Sequence, residues 1–247
     1  MVAAPSSPSL IVEASANSNH PDAITERDGR ENEMTTAGRP DWYDDLDGTL
    51  ANALREMASA VDEREHGFRT FSLATLAEDG SPRSRVVVLR EVEEGAWRLR
   101  FNSDLRSAKI GELEREGRVA LLFHDKDLKL QLRLRGRATV HAIGDAGQGG
   151  APVAARAFTD ANSMSRVCYR VRPGPGTRLD EPGGYDHADV ASTEDGDPDA
   201  DPGAPNFAAI TVDCEEIEVL YLAREGHRRS RFRRGPDAQV EGEWLTP

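Results

Sequence analysis

RVVVLREVEEGAWRLRFNSDLRSAK, residues 85–109, opens as a β-strand whose first side chain is a cation. Val86, Val87, Val88 and Leu89 make the short apolar run of a strand covered on both faces. A turn at Glu93-Glu94-Gly95 leads into a second strand, Trp97 to Phe101. Asn102-Ser103-Asp104 then leads into a helix expected over about Leu105 to Glu116. Ser103, Asp104 and Ser107 can cap its start, and Arg106 and Lys109 fall in its first turns. A helix start offers unpaired N–H groups and the positive end of a dipole. With a strand-borne cation beside it, it makes a receptacle for a phosphate. Arginine and lysine at such places are ordinarily solvated or paired, and charge placement alone favours that plainer reading.

Outward from this stretch, short strands alternate with turns. Leu50, Ala53, Leu54, Met57, Ala58 and Val61 recur at steps of three and four, which predicts an amphipathic helix from Asp47 to about Glu65. His66-Gly67 would end it, the histidine on the dipole and the glycine in a left-handed cap. Thr70 to Ala77 and Arg83 to Arg90 flank Asp79-Gly80, a hairpin signal. Arg118 to Phe123 reads as a buried strand. From Leu128 to Val140, Leu128, Leu130, Leu132 and Leu134 point one way and Lys129, Gln131, Arg133 and Arg135 the other. Gln131, the uncharged member of the polar row, can both donate and accept, and suits the edge of a heterocycle. Ala151 to about Asn162 reads as a short helix, and residues 209–222 as one or two strands. In the arginine-rich run that follows, alternation puts Arg229 and Arg231 on the face of His227, as an anion-facing row. So many closely spaced strands predict a mainly β (α+β) fold, a small antiparallel barrel with flanking helices. No G-x-G-x-x-G follows a strand and no G-x-x-x-x-G-K-[ST] is present, so a dinucleotide fold or P-loop is not expected.

Composition narrows the function classes. The 247 residues carry a net charge of −13, which argues against a general nucleic-acid or anionic-membrane binder. Five arginines within residues 227–234 raise a nucleic-acid reading, which the acidic remainder and the lack of interleaved aromatics lower. No apolar run has the length of a membrane span, and a cytoplasmic location follows by default. Cys168 and Cys214 both sit in apolar, strand-like contexts and read as buried thiols. The six histidines show no metal-ligand spacing, and no metal is expected. Residues 1–39 read as a disordered tail and 40–247 as a single domain. A stretch at about 174–205, densely acidic from Glu181 onward, reads as a disordered insertion.

Four stretches together resemble the pyridoxamine 5′-phosphate oxidase family, the FMN-binding split β-barrels, and within it the branch of oxidase-like proteins of unsettled substrate. They are LATLAEDGSPRSRVVVLR (73–90), FNSDLRSAKIGELEREGRVALLF (101–123), LQLRLRGRA (130–138) and HRRSRF (227–232). The resemblance implies FMN as cofactor, with Arg85 and Lys109 on its phosphate and Asn102, Ser103 and Ser107 near it. Val86, Val87, Val88, Leu89 and Arg90 would lie along the flavin, and Gln131 would hydrogen-bond it. Arg231 matches the family's late arginine, and Tyr221 stands where the oxidases have a tryptophan. Ala108 replaces the arginine that usually precedes the lysine, and Arg106 is offered as a substitute for its charge. On the substrate side, His227 and Arg229 reverse the family's order of arginine and histidine, and Arg90 stands where the family has a lysine. A small anionic substrate and a homodimer with the site between subunits are implied. The chemistry implied is hydride transfer from substrate to FMN with reoxidation by oxygen, and no residue stands out as a general acid or base. A non-catalytic flavin- or cofactor-binding protein is the alternative.

Overall fold

The computed structural model describes residues 39–144, 150–183, 196–224 and 226–247. Nearly all of the expected N-terminal tail and the centre of the acidic insertion lie outside the described residues. Strand alternation resolves as expected: Leu130, Leu132 and Leu134 are buried while Arg133 and Arg135 are exposed, all on β5 (Leu130–Ala142). Leu128 falls just before that strand, in a turn where Lys129 takes a positive φ of 56°. The hairpin at Asp79-Gly80 joins β1 (Thr70–Leu76) to β2 (Pro82–Glu93), with Gly80 at φ 79°. The others are β3 (Arg98–Asp104), β4 (Arg118–Asp125), β6 (Phe207–Tyr221), β7 (Arg228–Arg234) and β8 (Val240–Leu245). Their order is β3-β2-β1-β4-β5-β6-β7-β8, with every neighbour antiparallel.

One long strand both closes and splits this sheet. The first half of β6 pairs with β3 through Phe207 to Asp213, completing a six-stranded barrel. Its second half, Glu216 to Tyr221, pairs with β7 instead, which carries the β7–β8 hairpin out of the ring. The change of partner coincides with a bulge, where Gly136 of β5 opposes Cys214 and Glu215 is skipped. A Cβ at Gly136 would lie 2.2 Å from the Asp213 carbonyl oxygen, so only glycine fits there.

The barrel is filled by aromatic and branched side chains. Phe71 stacks on Phe123 with ring centroids 4.6 Å apart and meets Phe101 edge-on. Each such buried side chain contributes about 1.5–3 kcal/mol. Helix α1 (Leu46–Asp62) closes one side, burying Ala53, Met57 and Ala60. Helix α2 (Ala108–Arg115) packs over β1 and β5. Helix α3 (Gly150–Thr159) forms a second small core with the start of β6, in which Phe158 and Tyr169, just beyond helix α4 (Ser163–Val167), meet Phe207. Among the described residues, no helix is long and apolar enough to cross a membrane.

Several local expectations are corrected. Helix α1 stops at Asp62, and its last carbonyls, those of Ala60 and Val61, are capped by the Arg69 guanidinium rather than by His66. His66 instead opens a 3-10 turn, accepting from Phe68 N at 3.1 Å. Gly67 is needed for closeness rather than handedness: Asp125 accepts from its N–H at 3.0 Å, and a Cβ there would sit 2.4 Å from that carboxylate. Cys168 follows α4 and is exposed, whereas Cys214 is buried, its thiol pushed up to about 12 by burial. Asp201, inside the stretch expected to be disordered, is fully buried in an ion pair with Arg170.

Candidate functional site

Alternation along β2 sends Arg85, Val87 and Leu89 inward and Val86, Val88 and Arg90 outward. Val87 and Leu89 are core residues, so a molecule lying along this strand meets only their main chain. Arg85 stands at the mouth of the barrel, under α2. Its guanidinium donates to Glu112 Oε2 at 2.8 Å and to Thr75 Oγ1, and Thr75 in turn donates to Glu112 Oε2 at 2.5 Å.

Lys109, in the first turn of α2, is held differently. Its Nζ donates to Ser103 Oγ at 2.9 Å and to Ser107 Oγ at 2.8 Å. Among the described residues no carboxylate hydrogen-bonds to it. Burial, and then the charge of Arg85, lower its pKa below the ordinary lysine value. Ser107 is the N-cap residue of α2, yet its hydroxyl makes no capping bond to the helix. Arg85 and Lys109 thus lie close enough for their charges to interact, and the nearby carboxylates Asp104 and Glu112 offset part of that charge. Such a donor set suits a bound anion.

Arg106 does not contribute. It precedes the observed helix and chelates Asp104, its Nη2 lying 2.6 Å from Oδ2, and it also donates to the Val171 carbonyl at 2.8 Å. Asp104 is its immediate i−2 neighbour on the strand end, and this pairing withdraws the substitute charge expected from sequence.

A second cationic cluster lies on the outer face of β2 and β3. Arg69, Arg90, Arg100 and Asn102 line a cavity of about 230 Å³ walled by the end of α3, by Asn162 and by one carboxylate, Asp160. Arg100 is tied to Glu91 at 2.7 Å and to Asn102 at 2.8 Å. No carboxylate among the described residues pairs with Arg90, and burial, then Arg69, hold its pKa below the usual arginine value. Asn102 therefore sits with Arg90 and not with Lys109.

The late residues divide. Gln131 is half-buried on the outer face of the barrel, opposite His124 and Leu220. Tyr221 points inward, its ring edge-on to Trp42 and Tyr43. His227 and Arg229 line a shallow hollow with Asp44 and Trp244. The anion-facing row expected along β7 is corrected: Arg229 pairs with Glu218, Arg231 with Glu243 and Arg233 with Glu216. Sequence alternation orients a strand but does not say which residues of its neighbours stand opposite. Here β6 and β8 supply carboxylates in register. Thr75, Arg69, Arg100 and Glu112 were not singled out from sequence. Only Glu112 had a usable signal, lying three residues from Lys109 on one helix face.

Residues 49–142 match the family model of the pyridoxamine 5′-phosphate oxidase FMN-binding domain. That segment carries the FMN-binding pattern of this family, which supports FMN as the cofactor. Pyridoxamine 5′-phosphate oxidase-type chains of known name align with it at modest identity. A pyridoxine/pyridoxamine 5′-phosphate oxidase from Ruegeria is 34% identical over 35% of this chain and 42% of its own length. One from Arabidopsis thaliana is 29% identical over 61% of this chain and 72% of its own, and one from Paracoccus denitrificans 32% over 49% and 56%. The chain thus spans about half the length of the first and third of these. Two solved structures share the fold. A pyridoxamine 5′-phosphate oxidase-related FMN-binding protein from Nostoc punctiforme superposes with a TM-score of 0.63 at 22% identity, covering 79% of this chain and 96% of its own. PhzG from Burkholderia lata, solved with tetrahydrophenazine-1-carboxylic acid, gives 0.59 at 18%, covering 84% and 96%.

The cradle of Lys109, Ser103, Ser107 and Arg85 fits the phosphate of FMN, because its buried amine meets only neutral oxygens. This has a consequence for pH. The anion prefers protonated Lys109, whose pKa is depressed in the free protein. With the FMN phosphate on Lys109, affinity would be full below that pKa and would fall as pH rises through it, before the ordinary lysine value of about 10.4 is reached. Fluorescence titrations with FMN at increasing pH will read this loss, which should be absent from Lys109→Met.

Proposed function

We propose that the protein is an FMN-dependent oxidoreductase of the pyridoxamine phosphate oxidase type, acting on a small anionic molecule. The observation that carries this reading is the incompletely neutralised pair Arg85 and Lys109 at the start of α2. Bound there, FMN supplies a two-electron acceptor for a substrate hydride and a route onward to oxygen. The chain's own part is to bind and orient. Arg85 and Lys109 hold the phosphate, and the exposed outer face of β2 receives the ring along the main chain of Val86 to Leu89. Arg90, with Arg69 and Arg100 beside it, draws the substrate's anionic group into the cavity under α3.

The same face supports pairing of two copies. Val86 is 67% exposed and Leu122 40% exposed, and both lie in one register row with Ser72 between them. A homodimer would cover this apolar row and enclose the ring. One observation favours the second reading, a flavin carrier or sensor without turnover: Arg229 and Arg231 are already occupied by Glu218 and Glu243. Peroxide release on adding pyridoxamine-type amines or their phosphates to the yellow protein separates the two. Flavin binding without turnover of any anionic amine leaves the carrier reading.

A further inference from the structure

We propose that Glu112 is a positioning residue for FMN, the carboxylate that aims the Arg85 guanidinium at the cofactor phosphate. The inference rests on the assignment of Arg85 and Lys109 to that phosphate. A buried carboxylate beside an anion site is unfavourable on charge alone, so its presence calls for a compensating role. Glu112 Oε2 accepts from both Thr75 and Arg85, while Oε1 lies 3.7 Å from Arg83 Nε. The two bonds anchor Arg85 at two of its five N–H groups, one to Thr75 and one to Glu112, leaving the remaining donors free for an anion. An arginine side chain already fixed in direction loses less rotamer entropy on binding.

Glu112 also lies one helical turn beyond Lys109 on the same face of α2. The helix that brings Lys109 to its two serines therefore brings the anchor for Arg85 with it. Burial raises the Glu112 pKa, but the hydrogen bonds from Thr75 and Arg85 and the charges of Arg85 and Arg83 outweigh it, and the carboxyl stays below its ordinary range. It remains an acceptor throughout the neutral range.

The test compares FMN with riboflavin, which lacks the phosphate, by fluorescence quenching on the flavin-stripped full-length protein. Thermal unfolding of each protein is measured alongside. Wild type should prefer FMN strongly. Glu112→Ala should lose about tenfold or more in FMN affinity with riboflavin unchanged, the scale of a misdirected charged hydrogen bond. Glu112→Gln, which keeps an acceptor oxygen for Thr75 and Arg85, should recover most of the loss. Glu112→Asp, one methylene short, should fall toward the alanine variant, and it decides the matter should Glu112→Ala fail to fold. An unchanged preference for FMN in Glu112→Ala or Glu112→Asp overturns the proposal, as does a glutamine variant as weak as the alanine one. Wild type binding FMN and riboflavin equally would instead defeat the phosphate assignment itself.

Discussion

The double variant Arg85→Ala, Lys109→Ala is expected to leave purification colourless and to take up no added FMN at micromolar concentration. Each side chain offers the phosphate a charge-assisted hydrogen bond of about 1.5–3 kcal/mol, so removing both costs about 3–6 kcal/mol, on the order of 10²- to 10⁴-fold in affinity. The barrel should survive. Arg85→Ala leaves Glu112 with Thr75 and the more distant Arg83, a loss of about 1–3 kcal/mol against a typical total of 5–15 kcal/mol. The visible absorption spectrum and an FMN titration measure the first effect, and far-ultraviolet circular dichroism the second. Flavin content equal to wild type in a folded double variant would remove Arg85 and Lys109 from the site and the oxidoreductase proposal with them.

The second large effect is structural. Asp201→Ala should destabilise the protein by about 3 kcal/mol, because it removes the carboxylate of a buried ion pair. Arg170 donates to Asp201 through Nε at 2.9 Å and Nη2 at 2.6 Å, and Asp201 Oδ1 also accepts from Gly203 N at 2.8 Å. The pair ties the segment after α4 to the chain just before β6, next to the Tyr169 carbonyl that Arg106 and Asn206 hold. Asp213→Asn is the contrast. Its partner Arg98 and Asp213 itself are each about half exposed, so the change should cost less than about 1 kcal/mol despite the 2.6 Å separation. Urea unfolding of the two variants measures the difference. Equal midpoints would mean that burial does not decide the worth of these pairs.

The acidic stretch shows why composition misleads. Eight carboxylates between Glu181 and Asp201 with no lysine or arginine look unable to fold. Yet Asp201 is paired by Arg170, which lies 31 residues earlier and which no local window includes. Arg106 shows the opposite error: its charge seemed available for a phosphate, and the aspartate two residues before it takes it. Cys168 was read as buried from apolar neighbours, but the chain there is a short helix with that side turned to solvent.

Local grammar is legible in the order of residues alone. The leucines of β5, the Asp-Gly hairpin, the helix carrying Lys109 and the strand opening at Arg85 all depend on side-chain period and turn chemistry, which act over a few residues. Which charges are left to meet a ligand emerges only once the strands and helices have packed. That question turns on strand register and helix docking, which set Glu216, Glu218 and Glu243 against the arginines of β7 and seat Glu112 beside Arg85. Charge–charge energies depend on separation in space and on burial, and neither is a function of distance along the chain.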